Sequence, residues 1–237
     1  MNNIIIIGGG LTGLSCAFKL IQMEILPSNI EIFEGRQEIG SPTRSPGIAN
    51  NSKNTEILFN QIKLQPLTLL NFENNIFTFR REWLEKSISI YLTKLGCKIN
   101  LKTTITEKKI KEIYESPKNN KIIIDCSGQK TISSGFPADY TKFINNKYPT
   151  IKIEKRKLIE WYGYLSVNNK QTTISNDYIS INKKDGLNEI WTSNKVELNY
   201  KFIEMFKSIF PPNVKDILAN NTIDRGFLLA NKAMEGV

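Results

Sequence analysis

The sequence contains no histidine. This absence removes the side chain that most often serves as a general acid or base near neutral pH, and also the most common metal ligand. Only three cysteines are present, Cys16, Cys97 and Cys126, and they are far apart in the sequence. Without a C-x-x-C pair they indicate neither a zinc site nor a disulfide framework. We therefore predict no metal site and expect reduced, buried thiols.

Long apolar runs are also missing. No stretch approaches the roughly 18–20 apolar residues that cross a bilayer, and Met1-Asn2-Asn3 lacks the basic segment that begins a signal peptide. We expect a cytoplasmic protein that is at most peripheral to a membrane. The net charge of +9 is carried by lysines interleaved with acids, as in residues 107–111 and 152–157. We interpret these runs as solvated faces, with contact to anionic lipid headgroups as the alternative.

No basic stripe with interleaved aromatic residues is present, so nucleic acid is not a predicted partner. The charge distribution therefore indicates no particular function.

The strongest motif lies at the N-terminus. Residues 4–7 are four isoleucines, which predict a buried parallel strand because both faces are apolar and β-branched. A G-x-G-x-x-G turn and a helical apolar pattern follow, in the order required of a dinucleotide-binding turn. The helix N-terminus then offers N–H groups and a positive dipole end to a pyrophosphate. The predicted cradle consists of Gly8, Gly9, Gly10, Leu11, Thr12 and Gly13.

A carboxylate completes this unit. Residues 30–33 predict a second strand, and Glu34 follows it about 20 residues beyond the last glycine, where such folds bind the adenosine ribose hydroxyls. An arginine there would instead indicate a 2′-phosphate. The alternative is a glycine-rich turn followed by an unrelated acid at a strand end.

The loop after Glu34 is rich in Gly, Pro and Ser and makes the interpretation more specific. It resembles the second signature of geranylgeranyl-reductase-like flavoproteins, a branch of the p-hydroxybenzoate-hydroxylase-like superfamily. The matching residues are Arg36, Glu38, Ile39, Gly40 and Pro42. The resemblance implies FAD as the cofactor, with Gly35 and Arg36 near its adenosine half and Gly47 near the isoalloxazine ring. Ser45 stands where many members carry a cysteine, and it is the candidate catalytic residue.

Two later segments extend the resemblance. A short strand at residues 76–79 precedes Arg80 and a helical pattern that ends before Gly96. In the family such an arginine approaches the flavin, which implies this role for Arg80, or alternatively Arg81. The other interpretation is an ion pair with Glu82 or Glu85. A buried strand then ends at Asp125 and Gly128, which resemble the family's turn beside the adenosine half.

The composition changes near residue 150. We predict an FAD-binding Rossmann-like α/β domain with a parallel sheet over residues 1–150, and a smaller antiparallel-sheet substrate domain over 151–237. Residues 200–210 predict an amphipathic helix, and a second short helix is expected near 214–219. Aromatic side chains on the strands either line an apolar pocket or belong to the core. These are Trp161, Tyr162, Tyr164, Tyr178 and Trp191.

Residues 226–233 resemble the strand that leads into a Gly-Asp flavin-binding motif in the family, but that motif does not follow. We expect a shortened unit, a divergent weak binder, or a partner chain that completes the flavin site.

The resemblance implies an FAD-dependent oxidoreductase, with reduction of an isoprenoid or other apolar small molecule as the leading hypothesis. A flavin-dependent aromatic hydroxylase or halogenase-like enzyme is an alternative, because residues 1–130 would serve it equally well. The third hypothesis is a non-catalytic dinucleotide-binding or partner-binding protein.

Overall fold

A computed structural model describes residues 3–115, 121–127, 140–145, 148–153, 158–167, 172–194 and 202–235. The predicted site residue Gly128 lies outside these ranges. The chain forms two compact units. Unit 1 comprises Met1–Ser41, Glu85–Arg156 and Ile223–Val237, and unit 2 comprises Pro42–Leu84 and Lys157–Thr222. Neither unit is one continuous stretch of sequence, whereas the sequence pattern predicts a single boundary at residue 150.

Unit 1 contains a six-stranded sheet in the order β6-β2-β1-β7-β9-β8. Its strands are parallel except for β8, which is antiparallel to β9. The strands are β1 Asn3–Ile7, β2 Ile30–Phe33, β6 Lys98–Asn100, β7 Lys121–Asp125, β8 Tyr140–Asn145 and β9 Tyr148–Ile153. The four isoleucines of β1 lie between two parallel neighbours and are buried, as predicted. The parallel Rossmann-like sheet is therefore confirmed.

Two helices of this unit follow the predicted pattern over most of their length. Helix α1, Leu11–Gln22, begins directly after the glycine turn. Helix α3, Arg81–Leu95, starts in unit 2 and continues into unit 1, and Gly96 with φ +110° follows its end as a C-cap glycine can. Helix α4, Glu107–Glu115, was not predicted.

The strand expected near residues 226–233 is wrong. Helix α6, Ala219–Met234, occupies this segment. Ile223, Phe227 and Ala230 recur at spacings of four and three residues and are all buried, which is the periodicity of a helix with one apolar face.

Unit 2 contains a five-stranded antiparallel sheet in the order β11-β12-β13-β10-β14 and a three-stranded sheet in the order β3-β5-β4. The strands of the larger sheet are β10 Ile159–Ser166, β11 Thr173–Ile174, β12 Tyr178–Asn182, β13 Asn188–Thr192 and β14 Glu204–Phe210. Those of the smaller sheet are β3 Ile48–Asn50, β4 Asn71–Glu73 and β5 Ile76–Thr78. The predicted antiparallel sheet is thus confirmed.

The helix predicted over residues 200–210 is wrong, because strand β14 lies there and pairs along β10. Phe206, Ser208 and Phe210 are partly buried, and the residues between them are exposed. This alternation is the period of a strand.

Two α-helices of the described ranges lie entirely within unit 2. Helix α2, Lys53–Gln61, was not predicted, although Ser52 caps it by accepting a hydrogen bond from the Thr55 backbone N–H at 3.3 Å. Helix α5, Val214–Ile217, confirms the predicted short helix. No helix in the described ranges is long and apolar enough to span a bilayer.

The core of unit 2 is built on one face of the larger sheet. Trp161 and Trp191 are fully buried there with Ile179, Ile181 and Ile48. The Trp161 indole N–H donates to the Pro211 carbonyl at 3.1 Å. These two tryptophans therefore belong to the core, which is the second of the two roles considered for the aromatic residues.

Candidate functional site

The turn between β1 and α1 requires glycine at two positions. Gly8 has φ +103°, and its N–H donates to the Phe33 carbonyl at 2.7 Å. A Cβ atom on Gly8 would lie 2.5 Å from the Cys126 carbonyl oxygen, and one on Gly13 would overlap the carbonyl oxygen of Gly8. Only residues without side chains allow β1, α1 and the end of β7 to approach this closely.

Gly10 differs from these two glycines. It occupies the N-cap position of α1 with no side-chain cap, and none of the described residues beyond its chain neighbours has an atom within 4 Å of the position that its Cβ would take. The first N–H groups of an α-helix have no partner within the helix. Leu11 and Thr12 begin that first turn, so the helix end beside Gly10 is open to an acceptor such as a phosphate.

Glu34 is buried at the end of β2, and its carboxylate accepts four hydrogen bonds. Oε2 accepts from the Gly9 N–H at 2.8 Å and from Arg36 Nη2 at 3.1 Å. Oε1 accepts from the Arg36 N–H at 2.8 Å and from Arg36 Nε at 3.1 Å. The structure thus brings together three of the residues predicted from the sequence: Gly9, Glu34 and Arg36.

These contacts determine the protonation of the pair. Burial by itself would raise the pKa of Glu34, but the hydrogen bonds and charge of Arg36, together with the Gly9 N–H, hold that pKa below its ordinary value. Burial would likewise lower the pKa of Arg36, and the carboxylates of Glu34 and Glu85 raise it instead. The pair is therefore ionised near neutral pH.

The same contacts limit what Glu34 can bind. A carboxylate has about four acceptor positions, and all four are used. A ribose hydroxyl could bind Glu34 only by displacing the Arg36 guanidinium, whereas the two backbone N–H bonds could stay.

Two further predicted residues border this region. Gly35 has Thr104 beside it, with 3.2 Å between the Thr104 hydroxyl oxygen and the position of a Gly35 Cβ. Asp125 is buried at the end of β7, and its Oδ1 accepts from the backbone N–H of Ser127 at 3.0 Å and from its hydroxyl. Asp125 thereby shapes the turn after β7.

The remaining predicted residues lie in unit 2. Arg80 Nε donates to Asp185 Oδ2 at 2.8 Å, and Arg80 Nη1 lies 3.6 Å from Glu82 Oε1. The pairing with Glu82, considered as an alternative, is thus present. Burial would raise the pKa of Asp185, but the Arg80 hydrogen bond and the Leu187 N–H hold it below its ordinary value. Arg81 is buried and donates to the Pro46 carbonyl at 3.4 Å.

Gly47 and Ser45 lie in the loop before β3. Ser45 is partly buried. The Gly47 N–H donates to Glu189 Oε1 at 3.2 Å, and a Cβ on Gly47 would overlap the Phe79 carbonyl oxygen.

Sequence reasoning missed the partners of Gly47. Glu189 is buried on β13 and forms an ion pair with the buried Lys183, and it also accepts a hydrogen bond from the Trp191 indole N–H. The only available signal was an isolated acid within the apolar run of β13. Nothing in the sequence connected it with Gly47, which lies 142 positions earlier.

Comparisons with known proteins support the fold. No protein-family model matches the sequence, and no curated protein matches it either. A geranylgeranyl bacteriochlorophyll reductase-like protein from Thermoplasma acidophilum has a similar structure, with a TM-score of 0.57 and 13% identity over 99% of this chain and 78% of that one.

Two other solved structures are similar to a comparable degree. The p-nitrophenol 4-monooxygenase PnpA from Pseudomonas putida DLL-E4 has a TM-score of 0.60 and 9% identity over 100% of this chain and 81% of its own. CtdE, in complex with FAD and a substrate, has a TM-score of 0.58 and 10% identity over 98% and 80%. At these identities the likeness establishes a shared fold.

Proposed function

We propose that the chain binds FAD and is a flavin-dependent oxidoreductase. The observation that carries this proposal is the glycine turn at the carboxyl end of β1, with the Glu34 carboxylate fixed to the Gly9 N–H and an open helix N-terminus beside Gly10. Such an arrangement suits a pyrophosphate with a ribose next to it. Residues 8–13 would hold the pyrophosphate, and Glu34 would bind the ribose after exchanging the Arg36 side chain for a hydroxyl.

FAD is favoured over a nicotinamide dinucleotide by two independent considerations. The loop from Arg36 to Gly47 resembles the flavoprotein signature, and one of the similar structures, CtdE, contains FAD. The flavin, when bound, supplies the redox chemistry, and the protein contributes binding, orientation and exclusion of water. In this proposal Gly35 and Arg36 lie near the adenine, with Asp125 and Gly128 also on the adenosine side.

The roles proposed for Gly47, Ser45 and Arg80 in unit 2 rest on the resemblance to the flavoprotein family. Gly47 is proposed to approach the ring because of its place in the loop that resembles the flavoprotein signature, with Ser45 as a nearby proton source. Gly47 itself is buried beside the Phe79 carbonyl. Arg80 is already paired with Asp185 and Glu82. A role for Arg80 at the flavin therefore requires that it leave these carboxylates or act together with them.

For the reaction we propose reduction of an isoprenoid or other apolar small molecule. The alternative is aromatic hydroxylation, and the similar structures include both a reductase-like protein and a p-nitrophenol monooxygenase. The cytoplasmic location, the peripheral membrane contact and the partner chain completing the flavin site remain predictions.

Cofactor binding is tested by purifying the protein, recording its absorption spectrum and titrating the apoprotein with FAD and, separately, with NAD⁺. We expect a flavin spectrum, or FAD binding that is clearly tighter than NAD⁺ binding. A colourless protein that takes up no FAD would contradict the proposal.

The reaction type is tested on the FAD-loaded protein. Anaerobic saturation of a geranylgeranyl double bond by the reduced protein supports the reductase. Consumption of NAD(P)H and oxygen that depends on p-nitrophenol supports the hydroxylase. Bound FAD that can be photoreduced but supports neither turnover would favour the non-catalytic hypothesis.

A further inference from the structure

Lys183 and Glu189 form a buried ion pair in unit 2. Their side chains are 6% and 7% exposed, respectively. Lys183 directly follows β12, in the turn that leads to β13, and its backbone N–H donates to the Leu187 carbonyl at 2.9 Å. Its neighbour Lys184 is exposed. Burying an ammonium group is costly unless it is paired and hydrogen-bonded, so the placement of Lys183 requires an explanation.

The two partners differ in how fully their hydrogen-bonding capacity is used. Glu189 accepts from the Gly47 N–H and the Trp191 indole on Oε1, and from Lys183 on Oε2. An ammonium has three donors. Within the described ranges Glu189 forms the ion pair with the Lys183 ammonium. The charge of Lys183 also acts on the Asp185 carboxylate, which accepts its hydrogen bonds from Arg80 and Leu187. Two donors of a nearly buried cation are therefore available to a further acceptor.

These donors lie beside the loop that contains Gly47. The Lys183 Nζ atom is 3.4 Å from the position that a Cβ on Gly47 would occupy. The Glu189 carboxylate is hydrogen-bonded to the Gly47 backbone at 3.2 Å. The ion pair is thus attached to a unit 2 segment whose sequence resembles a ring-proximal flavin loop.

The charge balance defines the acceptor. Because Glu189 already neutralises Lys183 and the Asp185 carboxylate also interacts with its charge, a further carboxylate would leave a net negative charge in a buried place, which is unfavourable. A neutral oxygen with lone pairs, such as a ketone or ester carbonyl, could use the free donors without this cost. The rest of the molecule is apolar, as the proposed function already requires of the substrate.

We propose that the Lys183 ammonium, held by Glu189, donates a hydrogen bond to a carbonyl oxygen of an otherwise apolar substrate. This inference rests on the proposed function, because it names the substrate class of that same enzyme. It implies that the site prefers a ketone both to the matching hydrocarbon and to the matching carboxylate.

Three probes test the preference: 2-acetylnaphthalene, 2-ethylnaphthalene and 2-naphthoate. They share one apolar body and differ in the presence of the carbonyl oxygen or of a full negative charge. Affinities are measured by calorimetry, with and without FAD. We expect the ketone to bind at least about tenfold more tightly than the hydrocarbon, as a hydrogen bond from a charged donor allows, and more tightly than the carboxylate.

The set of variants separates the loss of a hydrogen bond from a defect in folding. Lys183→Met should abolish the preference for the ketone, Lys183→Arg should retain part of it, and Lys184→Met, the exposed control, should leave it unchanged. Since Lys183→Met leaves Glu189 unpaired, the double variant Lys183→Met/Glu189→Gln removes both charges and should fold while showing no preference.

Three results would overturn the proposal: no binding or no ketone preference in the natural protein, tighter binding of the carboxylate, or a ketone preference that persists in the double variant. FAD titration of the same samples keeps the two hypotheses apart. Normal FAD binding without a ketone preference refutes only the role of Lys183. Absence of FAD binding refutes the proposed function, whatever the probes do.

Discussion

The backbone N–H of Gly9 donates to the Glu34 carboxylate at 2.8 Å, which joins the glycine turn after β1 to the end of β2 across 25 residues. A side chain on Gly9 would come within 2.5 Å of Ile39 and 3.1 Å of Glu34 Cβ. The motif glycines and the acid at the strand end are therefore one structural element even without a nucleotide. Their contact orients the carboxylate before any ligand binds.

The charge of Glu34 should contribute stability in a pH-dependent way. Its pKa is held below the ordinary value of 4.5, so this contribution is present above the unfolded-state pKa and is lost as the pH falls through the folded-state pKa. Glu34→Gln should therefore be less stable than the natural protein at neutral pH. The difference should shrink as the pH falls below about 4.5.

This prediction is checked by urea unfolding at several pH values. Glu24→Gln, at an exposed position, serves as the control and should differ little from the natural protein at any pH. A Glu34→Gln deficit that stays constant down to strongly acidic pH would argue against the role assigned to the carboxylate charge.

Gly10 and Gly13 should respond differently to alanine. A Cβ at Gly10 meets no atom within 4 Å in the part of the chain that the structure describes, so Gly10→Ala should fold normally. The methyl group would nevertheless occupy the space where the pyrophosphate is proposed to approach, and FAD affinity should fall at least about tenfold. A Cβ at Gly13 would overlap the Gly8 carbonyl, so Gly13→Ala should lose about 1–3 kcal/mol of stability.

Thermal unfolding and FAD titration of both variants separate the two effects. Full FAD affinity in Gly10→Ala would mean that the open space beside this helix end is not the nucleotide site.

The features that sequence reasoning predicted correctly depend on local patterns. The apolar run of β1, the glycine turn and the pattern of α1 are each encoded within a few residues, and their order identifies the unit. Gly96 likewise ends α3 through its own backbone conformation. Such features need no knowledge of distant contacts.

The errors concern segments whose apolar residues fit more than one period. In residues 203–210, Ile203, Phe206 and Phe210 fit a helical spacing, but pairing with β10 imposes the alternation of a strand.

The ion pair of Lys183 and Glu189 and its bond to Gly47 arise from contacts between distant parts of the chain. A single sequence carries no local signal for them.

Tyr164 offers a test of a buried polar atom. Its side chain is 1% exposed, and its hydroxyl has no hydrogen-bond partner among the residues that the structure describes. A buried hydroxyl without a partner costs about 1–3 kcal/mol. Tyr164→Phe should therefore be at least as stable as the natural protein and up to about 1 kcal/mol more stable.

Denaturant unfolding provides the measurement. Tyr162→Phe is the matched control, because the Tyr162 hydroxyl donates to Glu160 at 3.0 Å in a solvent-exposed hydrogen bond and should contribute little. A marked loss of stability in Tyr164→Phe would show that this hydroxyl has a partner in solution.

Gly226 should be essential for the packing of α6 against α1. A Cβ there would lie 2.5 Å from the Thr12 carbonyl oxygen, 2.8 Å from Ser15 Cβ and 2.9 Å from the Cys16 nitrogen. Alanine within a helix is normally about 1 kcal/mol more favourable than glycine. A loss of stability in Gly226→Ala would therefore show that the close contacts outweigh this helix preference. Because the contacts are mostly with backbone atoms that cannot move independently, Gly226→Ala should instead destabilise the protein by about 2 kcal/mol.

Leu228→Ala, at a partly exposed position of the same helix, should cost much less. Since Thr12 also lies in the first turn of α1, the Gly226 variant should lose FAD affinity as well, and a stabilised variant with normal affinity would refute this packing.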